Sequence, residues 1–130
     1  MRTSGATWLA VLGAAIALTS CSGSDAYSHY MAEGCKGLAQ MSSAYSASDE
    51  ASMRKGYNST GGFNPAAEEA SGNASKMADV GTVILAVKVL FIAAWEPPEN
   101  NDGLFVWRHA SLSEADRTKV SQALGVCKQF

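Results

Sequence analysis

The sequence is poor in the features that mark nucleic-acid-binding proteins and most enzymes. Only 17% of its 130 residues are charged, and 10 Lys plus Arg against 12 Asp plus Glu give a net charge of −2. No basic stretch is long enough to follow a phosphate backbone, so we expect no nucleic-acid partner. The sequence has two histidines, no Cys-x-x-Cys motif and no Gly-x-Ser-x-Gly nucleophile elbow. We therefore predict a protein that is not an enzyme and that holds neither a metal nor a cofactor.

Charge is also missing from the N-terminal segment, where the pattern is typical of an export signal. No charged residue follows Arg2 until Asp25, and the apolar run Trp8–Leu18 lies between them. This run is too short for a membrane-spanning helix, which needs ~20 apolar residues, but it suits the core of a signal peptide. We therefore predict that residues 1–20 are a signal peptide.

The end of this segment, Leu18-Thr19-Ser20-Cys21, resembles the lipobox of bacterial lipoproteins. In that family the Cys is acylated and becomes the new N-terminus, so the resemblance implies a diacylglycerol thioether on Cys21 and a further chain, such as palmitate, on its amine. Two or more chains anchor a protein stably. Ser22 rather than Asp follows the Cys, which in that family favours the outer membrane. The alternative is an ordinary cleavable signal with an incidental Cys.

The resemblance also implies a division of the chain. Residues 21–26 would be a lipidated tether, and residues 27–130 a single domain that faces the periplasm within the cell envelope. The length of the chain leaves no room for a second independently folded core.

The two remaining cysteines, Cys35 and Cys127, are predicted to form a disulfide. An even pair in an oxidising compartment is most simply bonded, and a bridge of this span stabilises a fold by about 4 kcal/mol in the chain-entropy model. It would tie the first helix of the exported chain to its last. A thiol pair or a metal site is the alternative, but no histidine cluster completes one.

Apolar periodicity predicts an all-α fold, a small disulfide-closed helical bundle on a lipid tether. Apolar side chains recur at three- and four-residue steps from Tyr27 to Tyr45, which is typical of an amphipathic helix. The helix then either runs on or breaks and restarts with Ser48 as the N-cap residue, and the pattern predicts a stop at Gly56. The Gly- and Asn-rich residues 57–73 are predicted to form the longest loop, with one short helix inside it.

The stretch Met77–Trp95 is predicted to be a central helix that is apolar nearly all round and ends before Pro97-Pro98. A membrane span is one alternative, although Lys88 interrupts the run. An α+β fold with one hairpin is the other, with residues 87–94 and 104–107 as the strands. A final helix, capped by Ser111 or Ser113, would present Cys127 to the core.

Four aromatic residues lie in or beside predicted loops, where exposed rings are good interface anchors. They are Tyr57, Trp95, Phe105 and Trp107. Burial in the core is the alternative for each. We predict that they form an interface with another envelope protein.

The leading function is therefore a non-catalytic protein-binding or assembly module, anchored in the membrane by its lipid. In size and plan it resembles the pilotin lipoproteins that escort secretins. One alternative is an inhibitor or immunity protein of a periplasmic enzyme, since Ala123-Leu124-Gly125-Val126-Cys127 is similar to the terminal cysteine segment of small helical immunity proteins. The other is a carrier of a metal or small ligand.

Overall fold

The computed structural model of the protein describes residues 4–98 and 103–130, with side chains from Ala26 onward. Its elements are α1 Ser4–Ala47, α2 Glu50–Ser59, a 3-10 turn Thr60–Gly62, α3 Phe63–Glu69, α4 Ala74–Ala94, β1 Trp95–Glu96, β2 Val106–Trp107 and α5 Glu114–Cys127. The predicted helical bundle is confirmed. The side chains of residues 1–25 and all of residues 99–102 lie outside the described part of the chain. The lipid anchor on Cys21 and the tether therefore stay predictions.

Helix α1 supplies one side of the core. The predicted stripe is confirmed, because its large apolar side chains are buried, as is Ala44 beside them. The large ones are Tyr27, Met31, Cys35, Leu38 and Met41. The helix ends at Ala47, where Ser48 turns the chain at a φ of 54°. The break before α2 is confirmed, but its N-cap is Asp49, one residue after the predicted Ser48, and the Asp49 carboxylate accepts a hydrogen bond from the Ser52 amide at 3.1 Å.

The stop predicted at Gly56 is wrong. Helix α2 continues through Gly56 to Ser59, because this glycine is buried where α1 and α2 cross and a Cβ on it would lie 2.8 Å from the carbonyl oxygen of Gly37. The long loop predicted for residues 57–73 is also wrong, but the short helix predicted inside it is confirmed as α3. The 3-10 turn and α3 occupy most of these residues, and the side chain of Phe63, the first residue of α3, is buried.

The predicted central helix is confirmed as α4, capped by Asn73 and packed between α1 and α5. Its buried residues are Val80, Val83, Ala86, Val87, Leu90, Ala93 and Ala94. Among the described residues α4 is the one helix long and apolar enough to cross a membrane, a test that core helices of soluble proteins also pass. The hairpin alternative is wrong for residues 87–94, which are helical.

A remnant of a hairpin nevertheless follows α4. The helix ends when Trp95 adopts an extended conformation, and two residues of β1 pair antiparallel with β2, Trp95 opposite Trp107 and Glu96 opposite Val106. Helix α5 then starts at the predicted cap, where Ser113 Oγ accepts from the Asp116 amide at 3.1 Å.

The disulfide prediction is confirmed. Cys35 and Cys127 are bonded, and their Cα atoms are 5.5 Å apart. Beside them the ring of Phe130 packs edge-on against Tyr27, with centroids 5.7 Å apart. The C-terminal end of the chain is therefore held against α1 by both a covalent bond and an aromatic contact.

Candidate functional site

The four predicted interface residues converge on one aromatic cluster at the C-terminal end of α4. We define the aromatic cluster by seven rings, each in contact with at least one other: Tyr45, Tyr57, Phe91, Trp95, Phe105, Trp107 and His109. The rings come from α1, α2, α4 and the strand segments. Aromatic pairs in this geometry add to the energy of simple area burial, so the cluster joins the small sheet to the helical bundle.

The four predicted interface residues fall into two pairs by their solvent exposure. Tyr57 and Phe105 are 41% and 43% exposed, so both are available at the surface. Trp95 is only 2% exposed and belongs to the core, which corrects its assignment as a surface anchor. Trp107 is half-buried against it, with ring centroids 5.7 Å apart. The structure thus offers two rings to a partner and uses the other two as their support.

Polar contacts fix Trp95 in place. Its indole Nε1 donates to Glu50 Oε2 at 3.1 Å, and Arg54 Nη2 donates to the same oxygen at 2.5 Å. The Arg54 guanidinium also lies over the indole ring, 5.4 Å from its centroid. The hydrogen bond from Trp95 and, to a smaller extent, the one from Arg54 hold the pKa of the Glu50 carboxyl below its ordinary value. The carboxylate form of Glu50 is therefore the one that supports the cluster.

The segment after β2 is held to the end of α4 and to α1. The backbone amides of Arg108 and Ala110 donate to the carbonyl oxygens of Ala94 and Ala93, both at 2.7 Å. His109 adopts a φ of 50° and stacks on Trp107, which places its Nε2 2.6 Å from the carbonyl oxygen of Tyr45. These contacts give the exposed rings a rigid base.

Two depressions flank the exposed ring of Tyr57. We call the larger one, of about 410 Å³, the Lys88 cleft, because Lys88 lines it between α2 and α4. We call the other, of about 330 Å³, the Phe105 groove, which Arg54 and Leu104 also line. Tyr57 and Phe91 line both depressions, and their ring centroids are 4.8 Å apart, so these two rings form the wall between them.

The rim of the Phe105 groove is strongly apolar. Leu104 is 87% exposed, and Val106, two residues further along the chain, is 60% exposed. Together with Phe105 they form what we call the apolar rim. Neighbouring exposed side chains of this size are typical of protein interaction sites.

Two further kinds of site, a metal centre and a serine nucleophile, were sought among the described residues. Within residues 26–98 and 103–130, no group of three His, Cys, Asp or Glu side chains is arranged to hold a metal ion. The stretch Ser52-Met53-Arg54-Lys55 has the Ser-x-x-Lys spacing of some acyl enzymes, but Ser52 Oγ donates to Asp49 Oδ2 at 2.8 Å. That hydroxyl therefore belongs to the cap of α2.

Sequence reasoning missed two residues of the site. Phe91 lies within the predicted central helix, but it is half-exposed and touches Tyr57, Trp95 and Phe105. Lys88, the only charged residue between Asp79 and Glu96, lines a cleft. The position of this charge within an apolar helix was the one sequence signal that could have indicated the cleft.

Comparison with known proteins found no family model, no curated protein and no solved structure with significant similarity to this chain. A functional proposal therefore depends on the residues of the site themselves.

Proposed function

We propose that the protein is a lipid-anchored component of the bacterial cell envelope that binds another protein without catalysis. The domain would face the periplasm from the outer membrane, and the partner would cover the Phe105 groove and the apolar rim. The observation that carries the proposal is the apolar rim, whose large side chains are exposed around a fixed aromatic cluster.

The support beneath the rim favours binding over mere exposure. Phe105 packs edge-on against Phe91 at 5.3 Å, and Phe91 packs against the buried Trp95 at 4.9 Å. A rigid aromatic anchor loses little conformational entropy when a partner binds, which is why such residues dominate interface energies. The adjacent Arg54 adds a charged group at the edge of the groove.

The membrane anchor has its own test. When cells that express the full chain are fed an alkyne-tagged palmitate, we expect the tag on the wild-type protein and on Cys35→Ser, and its loss from Cys21→Ser. Cys21 ends the lipobox-like segment, so a serine there removes the thiol that would carry the diacylglycerol. An untagged wild-type protein would refute the proposed lipid anchor, but it would not bear on the proposed protein-binding surface.

The binding surface is tested by cross-linking in the intact envelope. With a photoreactive benzoyl-phenylalanine in place of Phe105, we expect one discrete adduct with another protein, and none with the same group in place of Lys36, which is exposed on α1. The added change Leu104→Glu should reduce the adduct at least tenfold, because it puts an unpaired charge into the apolar contact. Equal adducts at both positions, or no adduct at position 105, would contradict the proposal.

The identity of the cross-linked protein separates two functions that would use the same surface. An envelope assembly protein indicates the binding module proposed here. An enzyme that the purified chain inhibits would indicate an inhibitor or immunity protein instead.

A further inference from the structure

The Lys88 cleft has the construction of a small-molecule site. Its volume of about 410 Å³ lies within the range of roughly 300–1,000 Å³ that is common for such sites. Ile84, Val87 and Phe91 of α4 form one wall, and the ring of Phe63, 1% exposed, lies at its base. A Cβ on Gly34 would overlap that ring, so α1 holds Phe63 firmly beneath the cleft.

Its polar groups are few and carry one sign of charge. Lys88 is the one charged residue that lines the cleft, and it is exposed there. Of the side chains that the structure describes, none provides a carboxylate oxygen within 4.0 Å of its ammonium group. Asn58 and Asn64 add amide donors nearby. The hydroxyl of Thr60 is already used, since it donates to the carbonyl oxygen of Tyr57 at 2.5 Å.

We propose that the cleft binds an anionic single-chain amphiphile, a medium-chain fatty acid, with its hydrocarbon tail along the apolar wall and its carboxylate on the Lys88 ammonium group. An apolar slot with one cation at its edge complements this ligand in both shape and charge. The rings of Tyr57 and Phe91 bound the cleft on the side of the Phe105 groove. The cleft shares Tyr57, Asn58 and Phe91 with the Phe105 groove, but Lys88 and the apolar wall of Ile84 and Val87 line the cleft and not the groove.

Photolabelling of the full chain in phosphatidylcholine vesicles tests the proposal, with dodecanoate carrying a diazirine at its tail end as the probe. We expect saturable labelling, mapped by mass spectrometry to the residues that line the cleft, and its displacement by plain dodecanoate but not by dodecanol. Lys88→Gln should weaken labelling about tenfold, because it removes a charge-assisted hydrogen bond. Lys88→Arg should keep it, because the cation is retained.

The matched control is Lys55→Gln, which removes an equally exposed cation from α2, outside the residues that line the cleft. We expect this variant to label like the wild type. The proposal is overturned if Lys88→Gln also labels like the wild type, or if dodecanol competes as well as dodecanoate. It is equally overturned if the label spreads over exposed residues without saturation, which would indicate contact with the vesicle surface. Cross-linking at position 105 does not depend on any of these outcomes.

Discussion

Gly37→Ala is expected to destabilise the fold by about 3 kcal/mol or more, a large share of the ~5–15 kcal/mol that holds a typical domain folded. A Cβ at this position would lie 2.5 Å from the carbonyl oxygen of Gly56 and 2.6 Å from the amide nitrogen of Thr60. Both obstacles are backbone atoms, so no side-chain rotation can relieve the overlap. Helices α1 and α2 would have to separate, which would open the core around Met41 and Met53.

A matched control lies in the middle of α4. Gly81 is exposed, and nothing lies within 4 Å of the position its Cβ would take. We therefore expect Gly81→Ala to stabilise the protein by ~0.5–1 kcal/mol, since alanine loses less backbone entropy in a helix. Urea unfolding of the purified chain, followed by tryptophan fluorescence, measures both variants. If the two alanines have equal effects, the close crossing of α1 and α2 is not what holds them together.

The close contact between Gly37 and Gly56 shows where sequence reasoning succeeds and where it fails. The stripe of α1 and the Ser113 cap of α5 were predictable, because periodicity and capping are local signals that a few neighbouring residues carry. Gly56 was misread as a helix stop because its role is set by Gly37 on another helix. A glycine looks the same in a sequence whether it ends a helix or lets a second backbone approach.

The candidate site was predictable in composition but not in exposure. All four aromatic residues predicted for an interface do meet in one cluster, yet Trp95 is buried and its neighbour Phe91 is half-exposed. Helix α4 is apolar nearly all round, so its hydrophobic pattern does not indicate which side faces the core. That choice depends on where α1 and α5 pack against the helix. The burial of Trp95 depends on Trp107, which the strand pairing brings against its indole.

Removing the disulfide is expected to cost about 2–5 kcal/mol, measured as the difference in unfolding free energy between the wild type and the double variant Cys35→Ala, Cys127→Ala. The two cysteines are 92 residues apart in the sequence, so the bridge closes nearly the whole described domain into one loop and restricts the unfolded chain strongly. Reduced wild-type protein should unfold at the same urea concentration as the double variant. A wild type whose stability is unchanged by reduction would contradict the prediction.

The effect should be concentrated in α5. Within this helix only Val120 and Ala123 are fully buried, a small apolar contribution for fourteen residues. Without the bridge, the end of α5 would be held chiefly by packing between its half-buried side chains and α4, and by the contact of Phe130 with Tyr27. Hydrogen exchange should then accelerate in α5 at least tenfold more than at Leu38 of α1, whose side chain is fully buried. Uniform acceleration across both helices would instead indicate that the disulfide acts only on global unfolding, and that α5 docks to α4 firmly on its own.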